Sequence, residues 1–205
     1  MTGYSRAGYV HSSLVDPQTT VPSCIGLPFA VGEAWTASGT HAWDGVSSTH
    51  RGHIDLWGAS GIVRAAGPGT VHFTTCGLLM IDHGAGRWTS YYHINIASGI
   101  VEGTPVVRGQ RLGTIGTNLP CGGTVTGAHV HFGIWQIPVG TSVQGTPKGQ
   151  PLAAWERGLN GVDIGGWIVT ENPTNYWATY TNVSSGVVQQ ALTGVATLTN
   201  EGRLA

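Results

Sequence analysis

The stretch GIVRAAGPGTVHFTTCGLLMIDHGAGRWTSYYHI, residues 61–94, decides the fold. Within it, Ile62–Ala66, Gly69–Thr74, Leu78–Asp82 and Thr89–His93 are short runs rich in β-branched and aromatic residues. The GPG and HGAG segments break these runs, as turns between strands do. Reading outward, Pro105–Val107, Arg111–Ile115 and His129–Trp135 repeat the pattern. No segment carries apolar residues at i, i+3, i+4 and i+7, so very little helix is expected. Strands spaced at roughly 8–12 residues predict an all-β chain, an antiparallel sheet or sandwich with long loops.

The segment Ile100–Gly116, IVEGTPVVRGQRLGTIG, reads as a hairpin device: acidic Glu102 and Gly103 lead into a strand, a VRGQ turn and a second strand. It resembles the hairpins of lipoyl and biotinyl carrier domains. The lysine that such carriers modify is missing, since the one lysine of the chain is Lys148, so a carrier role is disfavoured.

The 205 residues suit one domain, and 40% hydrophobic content can fill its core, which rules out a disordered chain despite only 9% charged residues. With 9 Lys+Arg against 10 Asp+Glu there is no basic footprint for nucleic acid. No apolar run reaches the eighteen or so residues of a membrane span. Residues 1–21 are small and polar and read as a loosely ordered leader; 22–180 read as the domain, and 181–205 as a C-terminal strand or tail. The opening MTGYSRAGYVHSS lacks the apolar core of a signal peptide, so the chain is expected to be a mature or truncated form, or to stay inside the cell. A surface of Gly, Ser, Thr, Asn and Trp favours the extracellular alternative. Three cysteines, Cys24, Cys76 and Cys121, form no CxxC pair; they allow one disulfide with one thiol over, or three inert thiols.

The chemistry concentrates in histidine, with 9 in the chain. In the segment GAHVHF, His129 and His131 are two apart, so on a strand they share one face while Val130 and Phe132 turn to the core. Paired imidazoles on an accessible face suit a metal or a proton-transfer site, or are surface histidines alternating with core residues. Zinc needs further N or O ligands, and residues 39–56, GTHAWDGVSSTHRGHIDL, offer His41, Asp44, His50, His53 and Asp55. Asp55 sits between Ile54 and Leu56, a position where a carboxylate needs a partner. His53 shares its face and rivals it for a ligand role, while His41 approaches from a glycine-rich loop. A third island, WTSYYHI, ends a strand with Tyr92 and His93; His93 is a further candidate or a water-capped strand end. His83 reads as a turn residue, and His11 and His72 have no companions.

In order, LPFAVGEAW, SGTHAWDG, HIDLWG, GIVRAAGPGTVHF, LLMIDHGAGRWTSYYHI, VVRGQRLGTIG and CGGTVTGAHVHFGIW resemble the lysostaphin-type zinc endopeptidases, most closely their beta-lytic metallopeptidase and staphylolysin branch. The resemblance runs from about Leu27 to Trp135 and implies a sheet fold of the duplicated-hybrid-motif type, carrying the lipoyl-like hairpin. It implies His41, Asp55 and His131 as ligands of one Zn2+ per chain, and His129 and His93 as catalytic histidines. The lysostaphin branch has its first ligand four residues before the aspartate, where this chain has Arg51. The longer gap of the beta-lytic form therefore applies, with His50 or His53 as substitutes for His41. Tyr92 is a candidate oxyanion donor or a packing residue. The resemblance further implies a disulfide between Cys76 and Cys121, and a secreted monomer that cuts peptidoglycan cross-bridges at glycyl or D-alanyl bonds. Family members with incomplete ligand sets act as wall-binding or regulatory modules, which is the alternative reading.

Overall fold

The computed structural model describes residues 25–43, 51–144, 155–172, 175–191 and 195–203. The whole of the expected leader, with Cys24, Asp44 and His50, lies outside the described residues. Among those described there are fourteen strands and no α-helix. In chain order they are β1 (Ala34–Ala37), β2 (His53–Trp57), β3 (Ile62–Arg64), β4 (Gly69–Phe73), β5 (Leu79–Asp82), β6 (Arg87–Tyr92) and β7 (Asn95–Ile96). There follow β8 (Pro105–Val106), β9 (Arg111–Thr114), β10 (Val130–Gln136), β11 (Trp167–Glu171), β12 (Ala178–Asn182), β13 (Val188–Ala191) and β14 (Ala196–Thr199).

The main sheet has eight strands in the order β14-β1-β2-β10-β6-β5-β4-β8, all neighbours antiparallel. Two three-stranded sheets, β3-β9-β7 and β11-β12-β13, accompany it. The all-β expectation and the seven expected strands hold, with ends displaced by a residue or two. The alternation that marked them sorts side chains to the two faces of the main sheet. Ile54, Leu56, Leu79, Ile81, Tyr91, Val130, Phe132 and Ile134 face the larger core, where Phe29 stacks on Trp35 at 4.8 Å. Met80, Trp88, Tyr92 and Trp135 face the other way and build a second, smaller core with Cys121. Burying each such large apolar side chain stabilises the fold by about 1.5–3 kcal/mol. His53, Asp55 and His131 also point to this second face, at the end of the sheet where β2, β10 and β6 run side by side.

Turn chemistry explains the β5–β6 hairpin. Gly84, Ala85 and Gly86 all have positive φ, and Asp82 Oδ1 accepts the Gly84 N–H at 2.8 Å. Glycine carries that geometry without the Cβ clash, and Ala85 is the one residue there that bears it.

The 100–116 segment turns back at VRGQ, with the Gln110 N–H donated to the Val107 carbonyl at 3.1 Å. Its strands then separate: β8 pairs with β4 in the main sheet, and β9 pairs with β3 and β7. The chain beyond 180 re-enters the fold. β12 runs to Asn182, and β14 forms an edge of the main sheet against β1, with Leu198 fully buried. His72, without companions in the sequence, pairs with Glu102 at 2.7 Å.

Candidate metal centre

Antiparallel pairing of β2 and β10 sets Asp55 directly opposite His131, and β6 sets Tyr92 on the other side of His131. Directly opposed residues have Cβ atoms about 4.5–5.5 Å apart, so the ladder alone brings carboxylate and imidazole within reach. His41 is held against β2 through its backbone. It forms a two-hydrogen-bond bridge with His53, each N–H donated to the other's carbonyl at 3.0 Å, and the Ser38 hydroxyl accepts the Asp55 N–H at 2.9 Å. The loop is thereby stitched to β2 two residues before Asp55.

Three atoms converge. His131 Nδ1 is 2.9 Å from Asp55 Oδ1, His41 Nε2 is 3.0 Å from His131 Nδ1, and His41 Nε2 is 3.3 Å from Asp55 Oδ1. A tetrahedral zinc with bonds of about 2.0–2.1 Å holds its ligand atoms roughly 3.3–3.4 Å apart, so two nitrogens and an oxygen on such a triangle fit it. For His41 a hydrogen-bond partner also selects the right tautomer. The Gly39 carbonyl, 3.2 Å from His41 Nδ1, can only accept, so Nδ1 carries the proton and Nε2 offers its lone pair. His131 turns Nδ1 to the cluster, and its buried Nε2, which would carry the ring proton when Nδ1 ligates, has no hydrogen-bond partner among the described residues. Among the described residues no other group of three His, Cys, Asp or Glu side chains converges in this way.

Electrostatics favour the ligating forms. Burial pushes the Asp55 carboxyl up, but the surrounding imidazoles of His129, His131 and His41 outweigh it and hold the group far below the usual carboxylate range. Burial, with His53 adding to it, keeps His131 neutral well below its ordinary value. Metal binding needs an ionised carboxylate and neutral imidazoles, and the surroundings of Asp55 and His131 favour those forms.

Two further imidazoles border the cluster. His129 gives its Nδ1–H to the Gly127 carbonyl at 2.8 Å and places Nε2 3.3 Å from Asp55 Oδ1. His93 gives its Nδ1–H to the Asn118 carbonyl at 2.9 Å, with its ring 4.7 Å from that of His129. Burial lowers the pKa of His93; for His129 burial opposes protonation but Asp55 prevails and raises it. His93 is also strained, with φ +64° at the end of β6. A bulky residue in that region costs on the order of 1–3 kcal/mol, and such residues gather at functional sites.

The five side chains lie in an open cleft of about 320 Å³, which residues 122–126, Trp43 and Tyr176 also line. A disulfide joins Cys76 to Cys121, at the start of that 122–126 segment. The Tyr92 hydroxyl accepts the Cys121 N–H and donates to the Gly122 carbonyl, both at 2.8 Å. Its proton is thus committed to Gly122, so Tyr92 holds the loop in this arrangement. His53 is fully buried behind His131, with Nδ1 2.7 Å from the Glu156 carboxylate, outside the three-atom cluster. Tyr176, whose ring is 5.8 Å from that of His41, and Glu156 had no place in the sequence reading. A lone acid beside Trp155 in a chain with ten carboxylates was the one available signal for Glu156.

Residues 48–153, over half of the chain, match the model of Peptidase family M23. The chain belongs to that family. Protease LasA of Pseudomonas aeruginosa is 32% identical over 132 residues in strain PAO1 and 31% in strain UCBPP-PA14. Each alignment covers 60% of this chain and 32% of the relative, so the chain spans about a third of the length of these curated relatives. A solved structure described as a novel M23 metalloprotease, pseudoalterin, from the deep sea superposes with a TM-score of 0.60 at 22% identity. It covers 84% of this chain and 94% of that one, a likeness of fold. Asp55, His93, His129 and His131 fall inside the matched family range, whereas His41, Glu156 and Tyr176 fall outside it.

Proposed function

We propose that the chain is a secreted zinc endopeptidase that cuts the peptide cross-bridges of bacterial peptidoglycan at glycyl or D-alanyl bonds. The observation that carries this is the convergence of His41 Nε2, Asp55 Oδ1 and His131 Nδ1 at the floor of an open cleft, flanked by two further imidazoles. One zinc held by these three residues would supply Lewis acidity and a water acidified from about 15.7 towards 7. His129 and His93 each spend Nδ1–H on a backbone carbonyl, so the neutral ring offers Nε2 as a proton acceptor and the protonated ring offers an Nε2–H donor. The ring that takes up the proton of the attacking water becomes the donor to the leaving amine, and its partner, when protonated at Nε2, donates a hydrogen bond to the substrate carbonyl.

The cleft also suits the substrate. Among the described residues, the backbone of Gly123–Thr126 makes no hydrogen bond to the protein, and the segment is mostly exposed. An extended peptide can pair with such an edge, and small residues such as glycine and alanine suit a cleft lined by it and by Tyr176. The disulfide between Cys76 and Cys121 fits a compartment outside the reducing cytosol.

Metal analysis with wall digestion tests the reading. The purified protein is expected to hold one zinc and to release muropeptides from cell walls and cleave pentaglycine until a chelator is added. At micromolar metal the His41→Ala variant is expected to take up no zinc, whereas His53→Ala still takes it up. Zinc-free protein that still binds walls would establish a non-catalytic wall-binding module instead.

A further inference from the structure

Behind the His131 ring lies a second polar cluster that the reaction does not touch. The Glu156 carboxylate, 1% exposed, accepts the Gly52 N–H at 2.8 Å, the Trp43 N–H at 3.1 Å and the His53 Nδ1–H at 2.7 Å. Those three donors come from the end of the His41 loop, from the approach to β2, and from β2 itself. The His53 ring in turn lies flat against His131, with centroids 4.5 Å apart and planes 13° from parallel. Its Nε2 lies 3.4 Å from the Ser90 hydroxyl, whose oxygen accepts the Trp135 Nε1–H at 2.8 Å. Ser90 has its own proton left for His53 Nε2, so one tautomer satisfies the whole chain from Trp135 to Glu156.

Space for this cluster is built in. A Cβ on Gly133 would fall 2.1 Å from His53 Nε2, and one on Gly52 would fall 2.6 Å from Glu156 Cγ. Side chains at either position would expel the ring or the carboxylate. A buried carboxylate surrounded by three N–H donors also resists displacement, because no rearrangement nearby replaces its charge-assisted bonds.

We propose that Glu156 and His53 are positioning residues for the metal centre: Glu156 clamps the His41 loop to β2, and His53 fixes the plane of the His131 ring. The proposal rests on the zinc reading of the site. Its particular content is that metal affinity depends on a carboxylate 101 positions after Asp55, beyond the range matched by the family model. Outer partners of metal ligands are typically worth about 10–100-fold in affinity.

The test is zinc affinity by competition with a chromophoric chelator, together with the visible spectrum of the cobalt-loaded protein, at a temperature where every variant is folded. Glu156→Gln keeps the volume and one acceptor oxygen but removes the charge. It is expected to bind zinc about 10–100-fold more weakly and to shift the cobalt bands. His53→Asn keeps a donor for Glu156 but removes the ring behind His131, and the same direction is expected; it decides the matter if Glu156→Gln does not fold. Asn182→Ala breaks a buried network at the far end of β12 and is expected to lower thermal stability with no change in zinc affinity or spectrum. Wild-type affinity and spectrum in Glu156→Gln and His53→Asn would overturn the proposal, as would an equal loss in Asn182→Ala. Wild-type protein that takes up no zinc would overturn the functional reading itself, a different result from either.

Discussion

Replacing His93 by alanine and, separately, by glycine divides its backbone strain from its side-chain chemistry. At φ +64° an L side chain costs about 1–2 kcal/mol, and glycine escapes that cost while adding about 0.4–1 kcal/mol of unfolded-state freedom. Both variants lose the bond to the Asn118 carbonyl, worth about 0.5–1.5 kcal/mol, so it cancels in the comparison. His93→Gly is therefore expected to be more stable than His93→Ala by about 0.5–1 kcal/mol. For a domain of this size that is roughly 1–4 °C in Tm. Urea unfolding at equal m-value measures the difference, and wall digestion by the same samples measures activity. Both variants should keep their zinc and lose about 10²–10⁴ in turnover, the usual contribution of a positioned acid or base. Alanine matching or exceeding glycine in stability would show that no strain is stored at His93. Full turnover in either variant would remove it from catalysis.

Two other perturbations act on the scaffold. The Cys76–Cys121 link closes a loop with a sequence separation of 45, for which chain entropy gives about 4 kcal/mol, so replacing both cysteines by alanine should lower Tm by roughly 8–16 °C. A loss under about 1 kcal/mol in calorimetry would refute the entropic account. His83 is bonded to the Pro68 carbonyl and the Thr89 hydroxyl, and burial lowers its pKa below the ordinary 6.5. The unfolded chain then binds the proton first, so His83 contributes stability above pH 6.5 that is lost as the pH falls. His83→Gln should flatten the fall in urea midpoint on the acid side of that value, and parallel profiles would contradict the assignment.

What could be read along the chain was local. Period-two alternation in HIDLW and HVHF assigns each side chain to a face, and it placed Asp55, His129 and His131 on the accessible one. Ladder partners are a different matter. Nothing in IVEGTPVVRGQRLGTIG says that β8 will join β4 while β9 joins β3, because both outcomes bury the same residues. β1, AWTA, and β14, ATLT, are too short and too rich in small residues to announce an edge of the main sheet. The His41 bridge to β2, the Glu156 carboxylate under Trp43 and the Tyr176 wall all join segments far apart in sequence. Pattern reading has no access to such meetings, so His53 looked like a rival ligand until Glu156 came into view.

The opposition of Asp55 to His131 turns the metal into a gauge of folding. These residues are 76 positions apart and meet when β2 and β10 zip in the native register. A slip of one residue would bring Val130 or Phe132 across from Asp55 and send the imidazole to the opposite side of the sheet. Such a molecule could keep its strands and its disulfide and still be blind to zinc. In a refolding mixture, zinc uptake would therefore count correctly zipped molecules, where strand-sensitive spectroscopy would count both kinds.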